Sequence, residues 1–317
     1  MAYRVVFFGS PDFAVPCLRA LADDSRFDVV AVVTQPDRPS GRGSRLTATA
    51  VKAAAEALGL PVRQPSTLRS AEAVEWLTGQ DAEVFVVVAY GEILQRSVLA
   101  IPRYGCLNVH PSLLPRYRGS SPIPAAILNG DAETGVTIIR MVRKLDAGPI
   151  IAQRSLLLDG TETAATLSER LAALAAVLLP ATLVDWISGR LVEQPQDDDR
   201  ATYTRELRKD DGWIDWRRPA VDIERLVRAM YPWPIAWTVF AGRRLGVLAV
   251  RLADQGAGLE PGRIAWQAGG VVVGTGHGAL ELVTVRPAGG QAMPAADWLR
   301  GQREANPQFA IERAENS

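Results

Sequence analysis

Two uninterrupted apolar runs, Val5-Val6-Phe7-Phe8-Gly9 and Val84-Phe85-Val86-Val87-Val88, constrain this chain more than any other feature. A strand without a polar side chain has no face to offer water, so it belongs in a parallel sheet covered by helices on both sides. Ser10-Pro11-Asp12 predicts a helix through Leu21, with Ser10 or Asp12 as its cap and proline confined to its start. Val29 to Val33 supplies the next strand. This β-α-β opening is Rossmann-like, yet its first turn carries Gly9 alone where a dinucleotide fingerprint needs three glycines. Binding of NAD or FAD is therefore disfavoured.

The alternation of strands and helices continues for more than half of the chain. Val51 to Leu58 is Ala-rich and helical, Pro61 to Gln64 reads as a short strand, and Ser70 caps a helix to Leu77. Ser120-Ser121-Pro122 starts a helix that Asn129-Gly130 closes, and strands are expected over Gly135–Val142 and Ile150–Leu158. Helical periodicity covers Thr161 to Ile187, with Thr161 as cap and Pro180 expected to kink or divide it. Residues 190–207, including Gln194-Pro195-Gln196-Asp197-Asp198-Asp199-Arg200, have the charged, proline-bearing texture of a linker.

Beyond it, a short helix, Ala220 to Met230, leads to Tyr231-Pro232-Trp233-Pro234. Short runs then follow without intervening helices, at 236–240, 244–251, 262–267, 270–273 and 279–285, which suggests a small β-barrel. Trp213, Trp216, Trp233 and Trp237 are expected in barrel core and packing. The reading is thus an α/β domain over 1–189 with a Rossmann-like, mostly parallel sheet, a linker over 190–207, and a C-terminal β-barrel over 208–317.

Composition removes several function classes. Lys plus Arg and Asp plus Glu both number 35, so there is no global basic field and nucleic-acid contact has to come from local patches. The two cysteines, Cys17 and Cys106, cannot build a disulfide scaffold or a four-thiolate zinc site, and they suit a reducing compartment. No signal or transit peptide is read, and the longest apolar candidate, Leu171 to Leu183, is shorter than the roughly 18 residues of a membrane span. A cytoplasmic protein without a membrane segment is expected.

The chemistry concentrates in Gly105 to Gly119. Cys106-Leu107-Asn108-Val109-His110 reads as a strand, and Pro111-Ser112-Leu113-Leu114-Pro115-Arg116-Tyr117-Arg118-Gly119 cannot continue it. Asn108 and His110, two apart, share one face at the carboxyl end of a strand, where open α/β sheets bind their ligands. Burying both without partners costs roughly 1–3 kcal/mol each, so either a site or a compensating network is required. Downstream, Lys144-Leu145-Asp146-Ala147-Gly148-Pro149 presents a carboxylate, read as the mouth of another strand. His277, in the Gly276-His277-Gly278 turn, is expected to be exposed and uninvolved.

Gln35 to Ala50 predicts a long loop in which Arg38, Arg42 and Arg45 are separated by Gly, Ser and Pro. They cannot form a helix face and so project from an arm suited to phosphate contact.

Asn108, His110 and Asp146 contain no cysteine nucleophile and make a poor zinc site, and Ser112 lacks the elbow of a serine hydrolase. What remains is acyl-type transfer without a covalent enzyme intermediate. An amide and an imidazole would face an oxyanion while a carboxylate orients the histidine or a water.

Asn108-Val109-His110-Pro111-Ser112-Leu113-Leu114-Pro115-Arg116-Tyr117-Arg118-Gly119, with Leu145-Asp146-Ala147-Gly148, resembles the signature of the 10-formyltetrahydrofolate-dependent formyltransferases. Further likeness over 8–13, 34–52, 87–92, 133–137 and 231–238 points to the branch of that family that acts on methionyl-tRNA. The resemblance implies a formyltransferase fold followed by an OB-like tRNA-binding domain. It implies 10-formyltetrahydrofolate as co-substrate, no metal, initiator methionyl-tRNA as acceptor, and a monomer.

By the same resemblance Asn108 and His110 would polarise the formyl carbonyl, and Asp146 would position His110 and a proton-relaying water. Ser112, Leu113, Leu114 and Pro115, with Val88, Ala89, Tyr90 and Gly91, would contact the folate. Arg38, Arg42 and Arg45 would contact the acceptor stem. The chain departs from the family pattern at Pro111, at Ile235 where glycine is usual, and in 47–50, which lacks a proline. A formyltransferase acting on a UDP-amino-sugar and a non-catalytic RNA-binding protein are the alternatives.

Overall fold

The computed structural model describes residues 2–40, 45–253, 258–267, 269–304 and 306–312. In chain order the first elements are β1 (Tyr3–Gly9), α1 (Val15–Ala22), β2 (Phe27–Val33), β3 (Arg38–Ser40), β4 (Arg45–Thr47), α2 (Ala50–Ala57), β5 (Val62–Arg63), α3 (Ala71–Thr78) and β6 (Val84–Val88). Then come α4 (Arg96–Leu99), β7 (Cys106–His110), β8 (Arg118–Gly119), α5 (Pro122–Leu128), β9 (Glu133–Arg140), β10 (Ile150–Leu157), α6 (Ala164–Ile187) and β11 (Tyr203–Thr204). The last are α7 (Ala220–Ala229), β12 (Ala236–Phe240), β13 (Arg243–Ala253), β14 (Ile264–Gln267), β15 (Gly270–Gly274), β16 (Ala279–Pro287), β17 (Met293–Pro294) and α8 (Ala295–Arg300). The chain divides into two compact units: Met1–Pro122, Glu133–Leu157 and Ser168–Thr204 in one, Ile123–Ala132, Leu158–Leu167 and Arg205–Ser317 in the other.

The first unit is built on a seven-stranded sheet in the order β10-β9-β7-β6-β1-β2-β5. The apolar runs of β1 and β6 pair in parallel at its centre, with Val6, Phe7 and Phe85 fully buried. β7 extends the parallel set beside β6, whereas β9 runs antiparallel to β7 and β10 antiparallel to β9. On α6, Leu171, Ala175, Leu179 and Leu183 recur every fourth residue and are completely buried, a stripe that packs one helix face.

Several local expectations change. The chain turns helical at Asp12, as expected, in a 3-10 turn over Asp12–Ala14 that continues into α1, but neither start has a side-chain cap: the Ser10 hydroxyl instead donates to the Tyr90 carbonyl and accepts from the Gln35 N–H. α6 runs through Pro180 undivided and starts at Ala164, where Thr163 rather than Thr161 accepts from the Thr166 N–H. By length and composition α6 is apolar enough to cross a membrane, unlike the shorter run Leu171 to Leu183 read from the sequence, and 39% of its most apolar window is buried. The segment 35–50 is not wholly loop, since β3 and β4 pair as an antiparallel hairpin.

The second unit holds an antiparallel sheet in the order β12-β13-β16-β15-β14, with β17 on β16. Bridges from Phe240 to Phe309 and from Arg263 to Gln308 join the two ends of this sheet through one segment. Trp216 is fully buried, stacks on Phe309 at 5.1 Å and donates its indole N–H to Thr238. Trp233, expected in the core, is 53% exposed instead. The Ile235 backbone two residues later turns inward at φ +70° and donates to the Met230 carbonyl, leaving the indole outside.

Candidate active site

β7 holds Asn108 and His110 on one face through its neighbours. Val87 of β6 pairs with Asn108, while Ile139 and Thr137 of β9 pair with Asn108 and His110. His110 is buried, and its Nε2 lies 2.9 Å from the Tyr117 carbonyl oxygen. A carbonyl accepts only, so Nε2 carries a proton and Nδ1 is the nitrogen left to face a reactant. Nδ1 lies 3.6 Å from Asp146 Oδ2. Burial holds the His110 pKa below the ordinary imidazole value, against the opposing pull of the Asp146 charge and the Tyr117 carbonyl.

Asp146 is where the expected geometry needs correction. β9 runs antiparallel to β7 and ends opposite Leu107, so Asp146 does not sit at a strand mouth shared with His110. It comes from the loop between β9 and β10, as the sequence suggests, and that loop returns to the face carrying Asn108, where Asp146 meets the Asn108 amide. Its Oδ1 accepts from Asn108 Nδ2 at 3.3 Å and its Oδ2 from the Gly119 N–H at 2.8 Å. Asp146 takes φ +47° and Tyr117 φ +61°, conformations that cost L-residues roughly 1–3 kcal/mol and persist where surrounding contacts impose them. Gly119 adopts φ +110°, and a Cβ there would meet the Thr204 carbonyl oxygen at 2.1 Å, so no other residue fits.

The residues after His110 line the same end of the sheet. Ser112 is completely buried and its hydroxyl donates to the Arg116 carbonyl. Leu114 is buried and Leu113 and Pro115 are half-buried. Thr137 fixes this turn by donating to the Ser112 carbonyl and accepting from the Leu114 N–H, and Gln153 donates to the Leu114 carbonyl. At the end of neighbouring β6 and just beyond it, Val88 and Tyr90 are buried whereas Ala89 and Gly91 are exposed. Tyr90 packs edge-on against Phe8, and burial, with Glu92 nearby, raises its pKa. Arg38 is exposed beside Gln35, while Arg42 and the Arg45 side chain lie outside the described residues. Among the described residues no group of three or more His, Cys, Asp or Glu could hold a metal ion.

Comparison with known proteins matches this arrangement to a family. Residues 3–183 fit the model "Formyl transferase", and 206–303 fit "Formyl transferase, C-terminal domain". The chain belongs to the formyl transferase family. It is 52% identical over 304 residues to a protein of Roseiflexus sp. (strain RS-1) named methionyl-tRNA formyltransferase, covering 96% of this chain and 94% of that one. Among solved structures, the methionyl-tRNA formyltransferase from Clostridium thermocellum shares the fold with a TM-score of 0.58 at 15% identity, over 80% of this chain and 95% of that one. HypX from Aquifex aeolicus, in complex with tetrahydrofolic acid, does so with a TM-score of 0.66 at 15% identity, over 98% of this chain. The chain spans about half the length of HypX, 51% of it.

In this formyl transferase family member the polar cluster extends beyond the residues singled out in the sequence. Arg118 is fully buried and donates from Nε and Nη2 to Gln196 Oε1, while its Nη2 lies 2.7 Å from Asp198 Oδ1. Thr202 Oγ1 accepts from the Tyr117 N–H, and β11 pairs in parallel with β8. Arg118 stood within the signature stretch without a role. Gln196, Asp198 and Thr202 stood in a segment whose composition reads as linker.

Proposed function

We propose that this protein transfers the formyl group of 10-formyltetrahydrofolate to the α-amine of methionine on initiator methionyl-tRNA. The observation that carries the reading is one carboxylate, Asp146, within reach of Asn108, the Gly119 N–H and His110 together. The name of the Roseiflexus relative supports the acceptor, and the tetrahydrofolic acid in HypX supports the donor class.

In this reading the amine nitrogen attacks the formyl carbon, the bond from that carbon to folate N10 breaks, and the proton lost by the amine ends on N10. Asn108 has a second amide N–H beyond the one held by Asp146, and it donates to the formyl oxygen from the start. His110 is neutral, with its proton on Nε2, so Nδ1 takes up the amine proton directly or through a water. The Asp146 carboxylate steadies the imidazolium that results, which then donates toward the oxyanion or the leaving N10. Leu113, Leu114 and Pro115, with exposed Ala89 and Gly91 on the neighbouring strand end, form the wall against which the folate lies. Ser112, Val88 and Tyr90 support it from beneath. Arg38, Arg42 and Arg45 serve the acceptor stem, and the unit that includes 205–317 adds to that contact.

The test is transfer of labelled formyl from 10-formyltetrahydrofolate, with methionyl-tRNA, uncharged tRNA and UDP-4-amino-arabinose as acceptors. Label on methionyl-tRNA alone is expected. Label on the sugar nucleotide would replace the acceptor, and label on none would overturn the reading.

A further inference from the structure

The segment 194–204 has the composition of a linker, yet Gln194, Gln196, Asp198 and Thr202 to Thr204 are bonded to the parts of the first unit that hold Asp146 and His110. Gln194 exchanges both backbone hydrogen bonds with Ile150, at 2.8 and 2.9 Å. Thr202 accepts the Tyr117 N–H on its hydroxyl and the Arg118 N–H on its carbonyl, each at 2.8 Å. The Thr204 hydroxyl donates to the Arg118 carbonyl and accepts from the Ser121 N–H. Tyr117 is the residue whose carbonyl sets the His110 ring, and Gly119 is the residue whose N–H binds Asp146, so the segment grips both flanks of the site.

At its centre, Gln196 Nε2 donates to the Asp146 carbonyl at 2.8 Å and to the Gly148 carbonyl at 2.6 Å. The two amide N–H groups thus span the turn that carries the carboxylate. The amide has one possible orientation. Its Oε1 accepts from Arg118 Nε at 3.0 Å and Nη2 at 2.8 Å, and flipping it would set an oxygen against two carbonyls and an NH₂ against a guanidinium. Arg118 is itself fully buried and oriented by Asp198 and the Tyr203 hydroxyl. Asp146 needs this hold because its backbone sits at φ +47° in a loop outside the sheet ladder.

We propose that Gln196, oriented by buried Arg118, is a positioning residue that fixes the Asp146 loop so that one carboxylate meets Asn108, Gly119 and His110 at once. The proposal rests on the reading above in which Asp146 takes part in formyl transfer.

The experiment is steady-state kinetics on the full chain carrying Gln196→Ala, Gln196→Glu, Asp146→Asn and the double substitution Asp146→Asn with Gln196→Ala. Misplacing a reacting group by about 1 Å costs on the order of 100-fold, so Gln196→Ala should lower kcat by roughly 10- to 100-fold. KM for folate and for methionyl-tRNA should stay within about 3-fold. Gln196→Glu keeps an oxygen for Arg118 but loses both N–H donors, so it should be as slow as Gln196→Ala. If Gln196 served only to accept from Arg118, Glu would restore the rate, and that result overturns the proposal. The double variant should be no slower than Asp146→Asn within about 2-fold, because both changes remove one function; multiplicative losses would also overturn it. Full turnover by Asp146→Asn would instead sink the catalytic reading, leaving the two failures distinguishable.

Discussion

His110 Nε2 lies 2.9 Å from the carbonyl oxygen of Tyr117, and the opposite ring nitrogen faces Asp146 at 3.6 Å. The backbone thereby chooses the tautomer and leaves the Nδ1 lone pair facing the carboxylate. Two acceptors facing one another hold a proton between them well once chemistry supplies one, and this is the arrangement expected of a base that returns its proton to a leaving group. Nitrogen-15 NMR of the folded protein at neutral pH should show a neutral His110 with the Nε2–H tautomer. A signal for the Nδ1–H tautomer would remove Nδ1 as the acceptor.

Burial lowers the His110 pKa below the unfolded value of 6.5, and the pH dependence of stability follows from that direction. Below pH 6.5 the unfolded chain takes up a proton that the folded chain refuses until pH falls through its own lower pKa. Between those limits the unfolded state binds more protons, so stability falls as pH falls, with a limiting slope of about 1.4 kcal/mol per pH unit from this one group. Above pH 6.5 the contribution is constant. Urea unfolding from pH 7.5 downward should show this loss in the unsubstituted protein and less of it in His110→Gln. Equal slopes would place the His110 pKa at its ordinary value. Turnover that depends on neutral His110 should likewise persist below pH 6.5 and fall only at the lowered pKa.

Gly119 combines φ +110° with the 2.1 Å approach that a Cβ would make to the Thr204 carbonyl. Gly119→Ala therefore has to open the pairing of β8 with β11 or leave the left-handed region, and both movements withdraw the N–H from Asp146 Oδ2. A loss of about 3 kcal/mol is expected from backbone strain and a broken part-buried hydrogen bond. Activity should fall as well. Denaturant midpoints measure the first and single-turnover formyl transfer the second. A stable, active variant would mean that Gly119 is not needed for the Asp146 geometry.

Much of the fold was legible because burial on two faces leaves a plain trace: the runs at Val5 and Val84 can form only interior strands, and they pair at the centre of the sheet. Asn108 and His110 were legible by the two-residue strand period. The placement of Asp146 was not, since the direction of β9 relative to β7 depends on pairing that residue order does not state. Gln196 was hidden for a different reason. Its neighbours Asp197, Asp198 and Asp199 are all exposed, so local polarity masked one amide whose partners lie 48 and 50 residues away. Trp233 shows the opposite error, where a large aromatic read as core stands at the surface.

The arm between β3 and β4 carries the remaining expectation. Arg42 falls within 41–44, outside the described residues, in a stretch of Gly41, Gly43 and Ser44 that brings no second charge of its own. What an arginine offers a phosphate is its charge. If it meets a phosphate of the acceptor, binding releases a condensed counterion, and replacing Arg42 by Ala should reduce the slope of log affinity against log salt by about 1. Affinity for methionyl-tRNA should fall at every salt concentration below the crossover. Transfer to a methionine ester too small to reach the arm should stay unchanged, which separates the arm from the chemistry at Asn108, His110 and Asp146. Filter binding from 50 to 300 mM salt checks the slope, and an unaltered slope in Arg42→Ala would take this residue out of the tRNA interface.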